Sequence, residues 1–151
     1  MKSIIIGSDH AGFTLKEQIK PFLNCLGFKI KDIGIHSPKR ADYPKFAYLL
    51  AKAVSNGKFK KGILICKSGI GNSIVANKLP RVRAALCYNL KAVRLSREHN
   101  DSNILVLGSG FVKLDLAKRM IRLWLKTKFC GGRHRRRLNQ IKKIEQEISE
   151  A

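Results

Sequence analysis

Residues 62–78 read GILICKSGIGNSIVANK. Cys66 closes an apolar run, and Lys67, Ser68, Gly69, Ile70 and Gly71 follow at once. A glycine turn after a strand aims backbone N–H groups at an anion, and a helix opening near Gly71 adds its positive end. A phosphate or an enolate oxygen is stabilised in such a place. A thiol there is expected to have a lowered pKa, helped by the helix end and by Lys67. A thiolate near neutral pH is a proton acceptor. The plainer reading of Cys66 is a buried small hydrophobe that finishes a strand. The loop is neither GxxxxGK(S/T) nor GxGxxG, so its pattern does not support nucleotide binding.

Polar groups stand beside the other apolar runs. Asp9 and His10 follow SIIIGS, Asp42 and Tyr43 lie in ADYP, and His99, Asn100 and Asp101 precede NILVLG. Groups of these kinds are expected to converge on one crevice. Each has a plainer reading too: Asp9 as a helix cap, a loop histidine as a surface residue. In GGRHRRRL, Arg133 and Arg137 are four apart, hence on one helical face beside a Gly-Gly hinge. Two guanidinium forks suit a phosphate monoester. Arg135 and Arg136 read as exposed basic charge.

The elements that must hold these residues alternate. SIIIGS, KIKDIG, KGILIC, VRAALC and NILVLG read as five strands. Each is followed by a helical pattern: FTLKEQIKPFLNCLG, YPKFAYLLAKAVSNG, GNSIVANKL, NLKAVRLSREH and LDLAKRMIRLWLKT. This repeat argues for an α/β fold, a five-stranded parallel sheet with helices on both faces and ligands at the carboxyl ends of the strands. In the first helix, Thr14 and Glu17 have capping-box spacing. Phe13, Ile19, Phe22, Leu23 and Leu26 make its apolar face, and Pro21 is expected to kink or divide it. A last helix carries Leu138, Ile141, Ile144 and Ile148 as one thin apolar stripe, too narrow to be buried all round.

With 151 residues, 44% of them hydrophobic, the chain reads as a single folded domain over 1–151. No apolar run approaches the roughly 20 residues of a membrane span, and Asp9 and His10 interrupt the first one too early for a signal peptide. We expect a cytoplasmic protein with no membrane partner. Cys25, Cys66, Cys87 and Cys130 lack metal-like spacing and read as reduced thiols. The 10 acidic residues form no cluster that would hold a divalent metal, so no metal or other cofactor is expected. The net charge of +21, from 31 Lys+Arg, raises nucleic acid as a partner, but no nucleic-acid motif or basic–aromatic interleaving supports it.

Taken together, GSDHAGF, DYP, GILICKSGIGNSIVANK, RAALC, SREHNDSNILVLGS and GGRHRRRL resemble the type B ribose-5-phosphate isomerase family, which includes galactose-6-phosphate isomerase subunits. The resemblance runs from about Lys2 to Ile144, with the motifs in the family's order. It implies a Rossmann-like α/β/α sandwich, a dimer or dimer of dimers with the C-terminal helix at the subunit interface, and a site shared between two subunits. It implies a metal-independent aldose–ketose isomerase acting through a cis-enediol(ate). Cys66 would be the base, Lys67, Ser68, Gly69, Ile70 and Gly71 the anion-stabilising loop, and His99 the ring-opening residue assisted by Asp9. His10, Arg133 and Arg137 would hold the phosphate, Asn100 would bind sugar oxygens and Tyr43 would line the pocket. Two positions depart from the family's habit: Lys67 stands where Gly is common, and Gly110 where Arg is frequent. Alternatives are the same chemistry on galactose 6-phosphate or allose 6-phosphate, a nucleic-acid-binding module, and a redox regulator built on Cys66.

Overall fold

The computed structural model describes residues 2–151. Five strands form one parallel sheet: β1 (Lys2–Ser8), β2 (Phe28–Asp32), β3 (Gly62–Cys66), β4 (Ala84–Leu86) and β5 (Ile104–Gly108). The helices are α1 (Phe13–Cys25), α2 (Tyr43–Ser55), α3 (Ile70–Ala76), α4 (Leu90–Asn100), α5 (Leu114–Lys126) and α6 (Arg133–Glu150). The spatial order of the strands is β2-β1-β3-β5-β4.

The central strands are apolar at consecutive positions because both their faces are covered. Ile4, Ile6, Ile63, Ile65, Leu105 and Leu107 point to one face and pack under α1, α4 and α5. Ile5, Leu64, Ile104 and Val106 point to the other, under α2 and α3. The three-layer α/β/α arrangement is therefore written in the strand alternation. The chain leaves β1 toward β2 and leaves β3 the opposite way, so the order reverses between β1 and β3. The crevice of a doubly wound sheet opens at such a switch point, at the carboxyl ends of the strands.

Helix α1 departs from expectation at three points. It begins at Phe13 with Gly12 as N-cap and no side-chain cap bond, so Thr14 and Glu17 form no capping box. Glu17 instead pairs with Lys16 and Lys20, both at 3.0 Å. Its buried residues are Leu15, Lys16, Ile19 and Leu23, while Leu26, on the same side, is exposed because it is the C-cap residue beyond the last helical position. It also runs through Pro21 undivided. Cys25, read as part of an apolar segment, is exposed at the end of this helix. Among the described residues no helix is long and apolar enough to cross a membrane.

Helix α6 leans on the body along one line only. His134 is buried, Leu138 is half-buried, and Glu145 accepts the Arg81 backbone N–H at 3.1 Å. Ile144 and Ile148 stay exposed, at 54% and 70%.

Candidate active site

Cys66 is the last residue of β3, and Asp9 follows the last residue of β1. These are the two strands that flank the switch point. Asp9, Tyr43, Cys66, Lys67, Ser68, Ile70 and Gly71 line one cavity of about 420 Å³ there. The backbone makes this approach possible at two glycines. Gly69 has φ +84, and a Cβ on it would lie 2.5 Å from Leu86 Cδ1. A Cβ on Gly71 would lie 2.3 Å from Tyr43 Cζ, so Gly71 is what lets the Tyr43 ring cover the loop.

Neighbouring elements clamp the loop. Ser109 N–H donates to the Cys66 carbonyl at 2.8 Å, and Gly110 N–H to that of Lys67 at 2.9 Å. The Tyr88 hydroxyl donates to the Ser68 carbonyl at 2.7 Å and stacks its ring on Phe111. The sulfur of Cys66 accepts the Gly69 N–H at 3.2 Å. Asp9 Oδ1 accepts the Gly12 N–H at 3.1 Å and so caps the short 3-10 turn His10–Gly12, while its carboxyl also faces the cavity. His10 is tethered through Nδ1 to the backbone of Ala41.

The thiol does not behave as the loop pattern predicts. Burial pushes Cys66 above the ordinary 9.0, and the Asp9 charge adds to the rise. Backbone N–H groups of Asn72, Gly69 and Ser68 oppose this and lose. The expected lowering is thus reversed, because a residue only 4% exposed loses more hydration than a one-turn helix end returns.

The structure does not bring the remaining expected residues to this cavity. Helix α4 starts after the carboxyl end of β4 and runs antiparallel to the sheet, so His99 and Asn100, on its last turn, lie at the amino edge where β5 begins. Arg133 and Arg137, on the first turns of α6, stand with them. The His99 ring stacks on His134 with centroids 4.1 Å apart, and the Cys130 N–H donates to the Glu98 carbonyl. From Gly62 to Cys66 the sheet spans about 13 Å at roughly 3.3 Å per residue. Convergence on one crevice therefore fails within a single chain. Asp9, Tyr43 and the Cys66 loop sit at one end of the sheet, and His99, Asn100, Arg133 and Arg137 at the other.

Three participants escaped the sequence reading. Tyr88 holds the loop, and nothing local in CYNL announces that. His134 stands inside the basic run GGRHRRRL, where nothing in the sequence sets it apart. It is buried against His99, and burial together with the charges of His99, Arg133 and Arg137 holds it below the usual histidine value. Asn72, only 1% exposed beside Cys66, has no side-chain hydrogen-bond partner among the described residues.

Residues 4–141 match the family described as Ribose/Galactose Isomerase. The chain is 45% identical over 146 residues to ribose-5-phosphate isomerase B of Escherichia coli strain K12, covering 97% of this chain and 98% of that protein. A solved ribose-5-phosphate isomerase B from Clostridium thermocellum superposes with a TM-score of 0.94 at 48% identity, covering 97% of this chain and 99% of the other. The Mycoplasma genitalium ribose-5-phosphate isomerase B, solved with bound ribulose-5-phosphate, gives 0.92 at 40% identity, with 96% and 97% covered.

Proposed function

This chain belongs to the ribose/galactose isomerase family and is a sugar-phosphate isomerase, and from that premise we propose that it interconverts D-ribose 5-phosphate and D-ribulose 5-phosphate. The observation that carries the reading is the Cys66 sulfur, held by the Gly69 N–H at 3.2 Å at the switch point of the sheet, in a cavity shared with Asp9, Tyr43 and Ser68.

In the proposed reaction Cys66, as thiolate, takes the proton from C2 of the open-chain aldose. The C2–H electron pair becomes the C1=C2 double bond, and the carbonyl π pair moves onto O1. The resulting cis-enediolate is stabilised by N–H groups of residues 67–71 and by the Ser68 hydroxyl. Transfer of the O2 proton to O1 and return of the proton from sulfur to C1 give the ketose, with no net gain or loss of electrons. Because burial keeps the thiol protonated at neutral pH, the reactive form is a minority species whose population grows with pH.

Ring opening and phosphate binding need His99, Asn100, Arg133 and Arg137, which lie at the far edge of the same chain. We therefore assign them to the site of a second copy. A two-fold dimer offers the Cys66 half of one subunit to the His99 half of the other, twice over. The exposed Ile70 and Ile74 beside the Cys66 cavity and the exposed Ile144 and Ile148 of α6 are suitable contact surfaces. Stacking on the low-pKa His134 ring holds His99 in one orientation for proton transfer to the ring oxygen.

A coupled assay with ribose 5-phosphate, run beside galactose 6-phosphate and allose 6-phosphate, tests the reading. We expect turnover on the five-carbon substrate to dominate. A folded, dimeric protein that converts none of the three would overturn it.

A further inference from the structure

A cleft of about 880 Å³ opens at the amino edge of the sheet, between the body of the chain and α6. Its volume is that of a small-molecule site. Seven cations and two carboxylates line it. Lys60 and Lys61 lead into β3, Arg81 and Arg83 lead into β4, Arg97 stands on α4, and Arg135 and Lys142 stand on α6.

The two carboxylates are already engaged. Asp101 holds Arg97 at 2.8 Å and Arg83 at 3.6 Å, and Glu145 accepts the Arg81 backbone N–H. Among the described residues, Lys60, Lys61, Arg135 and Lys142 form no ion pair. Lys61 is half-buried over the Trp124 ring at 5.2 Å, and burial and the nearby Arg97 charge pull it down to about 8. A folded chain gains nothing from leaving such charges together.

One strained residue stands at the same place. Arg81 lines this cleft with φ 64°, a left-handed backbone that such a side chain adopts only where its surroundings impose it, whereas Asp101, at 46°, is the left-handed C-cap of α4. Val54, Phe59 and Leu138 supply an apolar wall beside the charges.

We propose that this cleft binds a small molecule carrying two or more phosphate groups. Seven cations against two carboxylates leave five positive charges uncompensated. One phosphate monoester brings about −1.5 to −2 at neutral pH, so about three phosphates match the surplus. The cleft is concave and contains Phe59 as its one aromatic ring, whereas a single-stranded nucleic acid needs a track of stacking rings. No lining residue belongs to the Cys66 cavity or to the Arg133–Arg137 pair, so the site stands or falls independently of the isomerase reading.

Titration calorimetry of the full chain with inorganic tripolyphosphate, at a physiological ionic strength of about 0.15 M, tests the site. We expect one ion per chain. The variant Lys60→Gln/Arg135→Gln/Lys142→Gln changes only exposed side chains and should weaken binding by about tenfold or more. The control Lys39→Gln/Lys91→Gln/Lys113→Gln removes the same charge from exposed positions elsewhere and should leave affinity within about twofold. Equal loss in both variants would reduce the binding to general charge attraction and overturn the proposal. So would loss in Arg137→Ala with none in the cleft variant, which would give the ion to the arginine pair. Displacement by single-stranded RNA with an affinity that grows with its length would also overturn it, in favour of a nucleic-acid surface.

Discussion

Lys67 lies across Gly110. A Cβ on residue 110 would stand 3.0 Å from Lys67 Cε and 3.1 Å from the Lys67 carbonyl oxygen, which already accepts the Gly110 N–H at 2.9 Å. The two positions that the sequence resemblance sets apart are therefore in contact, and the glycine makes room for the Lys67 stem.

The pair should behave as a unit. Lys67→Gly should raise KM for the sugar phosphate, and Gly110→Arg in the parent should also harm binding, because two long cations then compete for one space. Lys67→Gly/Gly110→Arg should recover much of the loss, with a coupling of about 1 kcal/mol in a double-mutant cycle on KM. Additive effects would mean that the two sites act separately.

Cys66→Ser should keep the fold and lower turnover by roughly 10²-fold or more, the usual scale for losing a general base. The raised thiol pKa sets the pH dependence. Thiolate increases with pH until the pKa is passed, so kcat/KM should climb through neutrality and level off only above the ordinary thiol value of 9.0. Iodoacetamide inactivation should follow the same curve, and substrate should protect. A kcat/KM that is flat across neutral pH would remove the thiol from the proton transfer.

Shared sites predict complementation. Cys66→Ser and His99→Asn should each be nearly inactive alone. Mixed in equal amounts and allowed to exchange subunits, they should regain about a quarter of the parent activity. Half the dimers are then mixed, and each mixed dimer holds one site with both residues intact. A mixture no more active than its components would place both residues in a site made by one chain.

The charge cluster under α1 should govern acid stability. The Lys16 side chain is fully buried, with Nζ 2.5 Å from Asp32 Oδ2. Burial pushes Asp32 up, but hydrogen bonds from Lys16, Lys20 and the Gly34 N–H outweigh it and hold the carboxyl below its usual 3.8. A depressed carboxylate contributes stability that is complete above the unfolded value near 3.8 and is lost as pH falls through the lower folded value. Urea unfolding at neutral pH should show Asp32→Ala destabilised by about 3 kcal/mol, because Lys16 is left buried without its main partner. Lys16→Met should cost less, since it removes the buried charge itself. Equal costs for the two would mean that the pair is not what holds this corner.

Much of the site was legible because its signals are local. A strand's side-chain period of two, a helix's period near four and the Gly-rich loop after Cys66 all lie within a few residues of chain. They place five strands and six helices, put Cys66 on the last residue of β3, and set Arg133 and Arg137 on one helical face. Strand order and pairing are not local. That β1 and β3 are neighbours, so that Asp9 and the Cys66 loop meet at one switch point, follows from the hydrogen-bonding partners of the strands. The return of His99 to the amino edge needs only the parallel crossover, because a helix that leaves the carboxyl end of β4 must end where β5 begins, and one chain therefore holds two half-sites. Burial is likewise a property of the assembled layers. Only the packed layers raise the Cys66 thiol instead of lowering it and gather Lys60, Lys61, Arg81 and Arg135 from three separate segments around one cleft.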